Sequence, residues 1–188
     1  NNRLKVSLLV AVLVVASVAA AYAYLMQLPP QSGPQVSVVS HPLKLSISLN
    51  KAEFALGENI AISCSAQNIS NETITILFLQ QFGYVDDQNK YHRVDVDFVI
   101  TDVNGTEVGS WSSHHGATQA LYEVTVNPGE KLENTFVWNQ KIDVYNLVQV
   151  PKGTYFAKAV IPPRIATVQI NRGQWISLET PSITITIG

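Results

Sequence analysis

The feature that most constrains this chain is a change of hydrophobic period at a proline cluster. Up to Met26 the apolar residues run together without charge; after Pro30 they alternate. Leu43, Leu45, Ile47 and Leu49 alternate with Lys44, Ser46, Ser48 and Asn50, and Ile183, Ile185 and Ile187 alternate with Thr184 and Thr186. A period of two places apolar side chains on one face of an extended strand, so both ends of this region predict half-buried strands. Between them Ile60–Ala66, Thr73–Leu79, Val94–Thr101, Ala120–Val126, Thr135–Trp138, Thr154–Ile161 and Val168–Ile170 share the pattern. Turn-forming residues punctuate them at Leu56-Gly57-Glu58, Asn104-Gly105, Asn127-Pro128-Gly129 and Pro151-Lys152-Gly153. Seven to nine short strands at this spacing predict an all-β fold, an immunoglobulin-like antiparallel β-sandwich.

The segment before the prolines obeys a different rule. Val6–Met26 is a run of 21 residues without a charge. As a helix it is about 31 Å long, matching a bilayer core of about 30 Å. Arg3 and Lys5 precede it and the next basic residue is Lys44. The positive-inside rule keeps the N-terminus cytoplasmic and puts everything beyond Met26 outside the cell. Tyr22 and Tyr24 suit the interfacial aromatic belt at the outer end. Three readings stand together: a signal peptide cleaved near Ala19-Ala20-Ala21 or Ala21-Tyr22-Ala23, a retained anchor, and a helix packed against copies of itself in a filament core. Ala16 with Ala20, and Ala19 with Ala23, have the small-xxx-small spacing that lets helix backbones approach closely. The predicted organisation is therefore a hydrophobic helix over 1–28, a Pro/Gly-rich linker over 29–42 and the sandwich over 43–188. Gln35–Ser40, in that linker, is an extended tail able to add as a strand to the sheet of a neighbouring subunit.

Two resemblances follow from these residues. The N-terminal segment, small and β-branched and closing in Ala21-Tyr22-Ala23-Tyr24, resembles the helix of archaeal type IV pilins and flagellins. The stretch Phe98–Ser112, with Asn104-Gly105 at its centre, resembles the hairpin of the BsuPI-type proteinase-inhibitor domain. Ala117–Ala120, Asn127–Glu130, Trp138–Gln140 and Val150–Tyr155 match further pieces in order. That resemblance implies an immunoglobulin-like sandwich; the fold does not by itself carry inhibition, since function sits in the loops grafted on it.

Composition excludes several functions. Twelve Lys and Arg against fourteen Asp and Glu give a net charge of −2, with no cationic field to neutralise phosphates, so no nucleic-acid partner is expected. Only 14% of residues are charged, and Ser, Thr, Asn and Gln supply the polarity. The one cysteine, Cys64, rules out an internal disulfide, a four-cysteine zinc site and a CxxC redox pair, and its apolar neighbours make it a buried small hydrophobe. His41, His92, His114 and His115 have no metal-ligand spacing, and the adjacent pair reads as a solvated hairpin loop. Asp95 and Asp97 read as a solvated strand face and Asp86-Asp87 as a loop, because no calcium-loop pattern surrounds them. No catalytic residue, cofactor or metal is expected, and the chain is not expected to be an enzyme. Trp111, Trp138 and Tyr155 are expected in the core.

Three N-x-S/T sequons fall in expected turns, at Asn68, Asn71 and Asn104. On the outer side of a membrane they predict N-linked glycans. The sequence thus predicts a non-catalytic structural subunit of an archaeal extracellular filament. In it the helix polymerises with copies of itself, after passing through the membrane, and the glycosylated domain faces outward. The other reading is a membrane-anchored immunoglobulin-like binding module, inhibitor-like or accessory to a membrane complex.

Overall fold

The computed structural model describes residues 33–142, 148–163 and 167–188. The first strands are β1 (Gln35–Ser40), β2 (Leu43–Leu49), β3 (Glu53–Phe54), β4 (Ile60–Asn68), β5 (Ile74–Phe78) and β6 (Gln81–Val85). Next come β7 (Tyr91–Val94), β8 (Asp97–Thr101), β9 (Glu107–Ser110), β10 (Ala117–Thr118), β11 (Tyr122–Val126) and β12 (Lys131–Trp138). The last are β13 (Gly153–Ile161), β14 (Val168–Ile170), β15 (Gln174–Ile176), β16 (Leu178–Glu179) and β17 (Ile183–Ile187). One sheet runs β1-β2-β4-β12 and a second β3-β17-β13-β8-β9, with β16 paired to β13. Smaller sheets, β11-β5-β14-β15 and β10-β6-β7, complete the fold. All pairs are antiparallel except β17 with β3, which is parallel.

β13 and β8 pack across from β2 and β4, so the two large sheets form a sandwich. The alternation in the sequence is the cause. β4 and β17 are buried at every second residue, and Leu43, Leu45, Ile47, Ile62, Cys64, Ala157, Ala159, Ile161 and Ile185 lose all exposure. Removing such side chains from water drives the collapse, at roughly 25 cal/mol per Å² of apolar surface. Cys64 is buried as expected, and burial raises its thiol pKa.

Three features depart from the sequence reading. First, the fold begins inside the segment taken as linker 29–42. β1 pairs with β2 of its own chain from Gln35↔Ser48 to Ser40↔Leu43, and the Leu49 N–H donates to the Pro34 carbonyl at 3.1 Å. Val36 and Val38 pack on the core, and this contact outweighs the turn signal of the prolines beside it. The segment read as an extended tail is thus a strand supplied in cis to β2 of its own chain. Second, the strand predicted over Val94–Thr101 is broken. The Asn134 Oδ1 accepts the backbone N–H of Asp95 (3.1 Å) and of Val96 (3.2 Å), and the chain passes from one sheet to another at that point. Third, the Asn104-Gly105 hairpin has a positive φ only at Gly105 (79°), not at both central residues. Asp102 organises it instead: its Oδ1 accepts the N–H of Asn104 (2.8 Å) and Thr106 (2.9 Å), an Asx turn.

The expected N-terminal helix over 1–28, with Ala16, Ala19, Ala20 and Ala23, lies outside the described residues. Among the described residues no helix is long and apolar enough to cross a membrane.

Candidate functional site

The site is a ledge of aromatic and imidazole rings at one end of the β10-β6-β7 sheet. Tyr84 on β6 and His92 on β7 are direct cross-strand partners, and their rings stack at 5.1 Å between centroids, 16° from parallel. Trp111 follows β9. Its indole stacks on His115 at 3.8 Å and 4°, and lies 6.0 Å from the Tyr84 ring at a tilt of 51°. The order His92, Tyr84, Trp111, His115 makes a continuous strip of π surface. Tyr84 is 44% exposed, His115 is exposed, and His92 and Trp111 are half-buried.

Hydrogen bonds hold the two imidazoles, and the Tyr84 and Trp111 rings are stacked on them. The His92 Nε2 sits 2.6 Å from the Asp86 Oδ2. The Lys90 N–H, ahead of His92, holds the Asp86 carboxyl below the usual carboxylate range. His115 Nδ1 donates to the Trp111 carbonyl at 2.7 Å, which clamps the imidazole over the indole. Beneath the ledge lies Asp97, with no exposure at all. Its carboxylate accepts the N–H of Phe98 (2.7 Å), Trp111 (3.2 Å) and Ser112 (2.9 Å), tying the start of β8 to the turn that carries Trp111. Burial raises its pKa, opposed by the Ser112 and other N–H donors.

Asp95 and Asp97 are therefore not a solvated strand face. Asp95 is 6% exposed, bonded to Tyr122 Oη at 2.8 Å and ion-paired with Arg93 at 2.8 Å. Each carboxylate tolerates burial because it has donors of its own. Trp138 and Tyr155 are core residues as expected, whereas Trp111 belongs to the ledge. His115 ends a single 3₁₀ turn, Ser112–His114, where a hairpin loop was expected. Tyr84 had no local signal; only the β6–β7 register brings it beside His92. Among the described residues no three His, Cys, Asp or Glu side chains are grouped to hold a metal ion.

The three sequons separate. Asn71 and Asn104 are exposed. Asn68 has no exposure, and its Nδ2 donates to Glu72 O (2.8 Å) and Val126 O (2.9 Å) while Oδ1 accepts from Ser70 N and Oγ. This corrects the expectation of a glycan at Asn68: both amide hydrogens are in use, and the amide holds the β4–β5 turn closed.

Among solved structures, the chain is similar to the CARDB domain of the PF1109 protein from Pyrococcus furiosus, a structure in complex with di-metal ions. That likeness has 13% identity and a TM-score of 0.40, over 86% of this chain and 97% of that one. The C-terminal domain of wzt is similar at 10% identity and a TM-score of 0.44, over 85% and 82%. A β-glucosidase from Erythrobacter marinus is similar at 12% and 0.41, over 78% of this chain but only 15% of that enzyme. Likeness at this level carries no argument about function. No curated protein matches the chain. The family model described as BsuPI, intracellular proteinase inhibitor, matches residues 91–164, the stretch that contributes His92, Trp111 and His115 to the ledge.

Proposed function

We propose that this chain is a non-catalytic immunoglobulin-like binding module that docks a proteinase through the ledge. The observation that carries the reading is the strip of half-exposed rings His92, Tyr84, Trp111 and His115, of which His92, Trp111 and His115 lie inside the stretch that resembles an inhibitor family. Trp and Tyr are the side chains that concentrate binding energy at protein interfaces, and these two are already fixed by stacking on hydrogen-bonded imidazoles. A partner surface that covers them removes apolar area from water without ordering flexible side chains. In this reading the segment Val6–Met26 displays the module outside the membrane. The test is inhibition of a panel of serine, cysteine and metallo-proteinases by the protein and by its Trp111→Ala variant. Inhibition or capture lost at least about tenfold in the variant is the expected result. A protein that leaves the whole panel untouched and binds none of it refutes the reading.

One observation favours a second reading, a pilin-like subunit of an archaeal surface filament. The uncharged run carries Ala16, Ala20 and Ala19, Ala23 at close-packing spacing. In that reading copies of the helix form the filament core and glycans at Asn71 and Asn104 coat its surface. Negative-stain microscopy of material sheared from cells decides it: filaments thinned or lost by Ala16→Leu with Ala20→Leu support it, and their absence from unmodified material rejects it.

A further inference from the structure

A concavity lies away from the ledge, between the β1–β2 turn, the β4–β5 turn and the β14–β15 turn. It is open and has a volume of about 530 Å³, within the usual span for small-ligand sites of roughly 300–1,000 Å³. His41, Asn71, Glu72, Asn171 and Gln174 line it. The side chains of His41, Asn71, Glu72 and Gln174 make no hydrogen bond to any described residue, and the Asn171 amide uses only its oxygen, on Thr75 N–H at 2.8 Å. Pro42 and the buried side chains of Ile74 and Ile170 supply an apolar wall.

The lining decides the ligand class. Among the described residues no Lys or Arg lines the cavity, so a phosphate, sulfate or carboxylate ligand finds no counter-charge among them. One carboxylate and one imidazole are too few for a metal cage. What remains is a set of amides, a carboxylate and an imidazole, groups that give and accept hydrogen bonds side by side, around an apolar patch. Vicinal hydroxyls on a ring with an apolar C–H face match that set. Asn71 is also the exposed acceptor of the Asn71-Glu72-Thr73 sequon, so a sugar attached to it begins at the cavity mouth.

We propose that this cavity is a saccharide site that seats a neutral pyranose, either the first sugar of a glycan on Asn71 or a sugar of another molecule. Two arms, both on the full chain, separate the sources. In the first, the native protein is digested and the peptide holding Asn71 is weighed. If a glycan is present, its release from the folded protein by a peptide N-glycosidase is timed for wild type and Gln174→Ala. In the second, unglycosylated protein is mixed in turn with N-acetylglucosamine, mannose and glucose, and saturation-transfer NMR reads binding. The Glu72→Gln, Gln174→Ala double variant is the control. Both side chains are exposed and hold nothing else in place, so the fold survives.

A glycan on Asn71 released at least about tenfold faster from the variant identifies the attached sugar as the occupant. Saturation transfer that the double variant loses identifies a free sugar. If Asn71 is bare, or its glycan leaves both proteins at one rate, and none of the three sugars shows transfer that the double variant abolishes, the proposal is overturned.

Discussion

Replacing Asp97 tests whether a buried carboxylate is the post on which the ledge stands. Asp97→Asn keeps the size and the Oδ1 that accepts from Phe98 and Trp111, but turns an NH₂ toward the Ser112 N–H at the place where Oδ2 accepts it at 2.9 Å. Two donors then face each other in a buried site. An orphaned buried donor costs about 1–3 kcal/mol, and removing a charge from the interior offsets part of it, so a net loss of about 1–2 kcal/mol is expected. Asp97→Ala orphans all three N–H groups and should cost about 3–5 kcal/mol. Urea unfolding of a polypeptide spanning residues 33–188, followed by tryptophan fluorescence, measures both. The pH dependence separates charge from geometry. Burial raises the folded-state pKa of Asp97 above the unfolded value of about 3.9, so the folded chain holds that proton more tightly. Its contribution to stability is greatest below the unfolded pKa, falls as pH rises through the folded pKa and is level above it. Asn has no such proton, so the loss caused by Asp97→Asn should be widest in acid and narrow as pH rises. A loss that widens with pH would mean that the N–H donors favour the anion more than burial opposes it, and the argument from desolvation would fail.

Further outcomes follow from the same geometry. Residues 33–188 should fold without the segment before them, giving a β-type circular dichroism spectrum and one cooperative thermal transition; a disordered spectrum would refute this. Gly105→Val should cost roughly 1–3 kcal/mol in the same urea assay, because φ is 79° there and a β-branched residue resists it. Thr106→Ala should keep the hairpin, because the backbone N–H groups of Asn104 and Thr106 still donate to Asp102, while intact mass shows one glycan lost from native material. Gln140→Ala should cost roughly 3–5 kcal/mol: its buried amide accepts from Gly57 N and donates to Ala55 O and Glu58 O, and water does not reach that place.

The sequence was most legible where burial alone decides. Ile183–Ile187 and Val168–Ile170 alternate, and those strands have the predicted limits. It was least legible where a side chain from far along the chain replaces a ladder bond. Nothing near Val94–Thr101 announces the break that Asn134 makes 38 residues away from Val96. Asp95 and Asp97 looked solvated because charge is the local signal, whereas their donors come from Tyr122 and from the turn at Trp111 and Ser112. The ledge was not legible: Trp111 read as a core residue and the histidines as lacking any ligand spacing, and Tyr84 joins them only through strand register, a property of two segments at once. The sequon at Asn68 shows the same limit, since three letters state an acceptor pattern but not whether the amide is already engaged.

The pairing of β1 with β2 gives the fold a mechanical direction. Gln35 is at the open end of the hairpin and Ser40 at the closed end, so tension carried along the backbone from residue 33 enters at Gln35↔Ser48. Pulled across the sheet, the pairs break one after another toward the turn, and the load at any instant falls on a single rung. Pulled along the strand, all of them are sheared together and the resistance is far higher. The domain is thus weak to peeling and strong to drawing, and the first strand uncovered by peeling is β2, whose Leu43, Leu45 and Ile47 have no exposure in the closed fold.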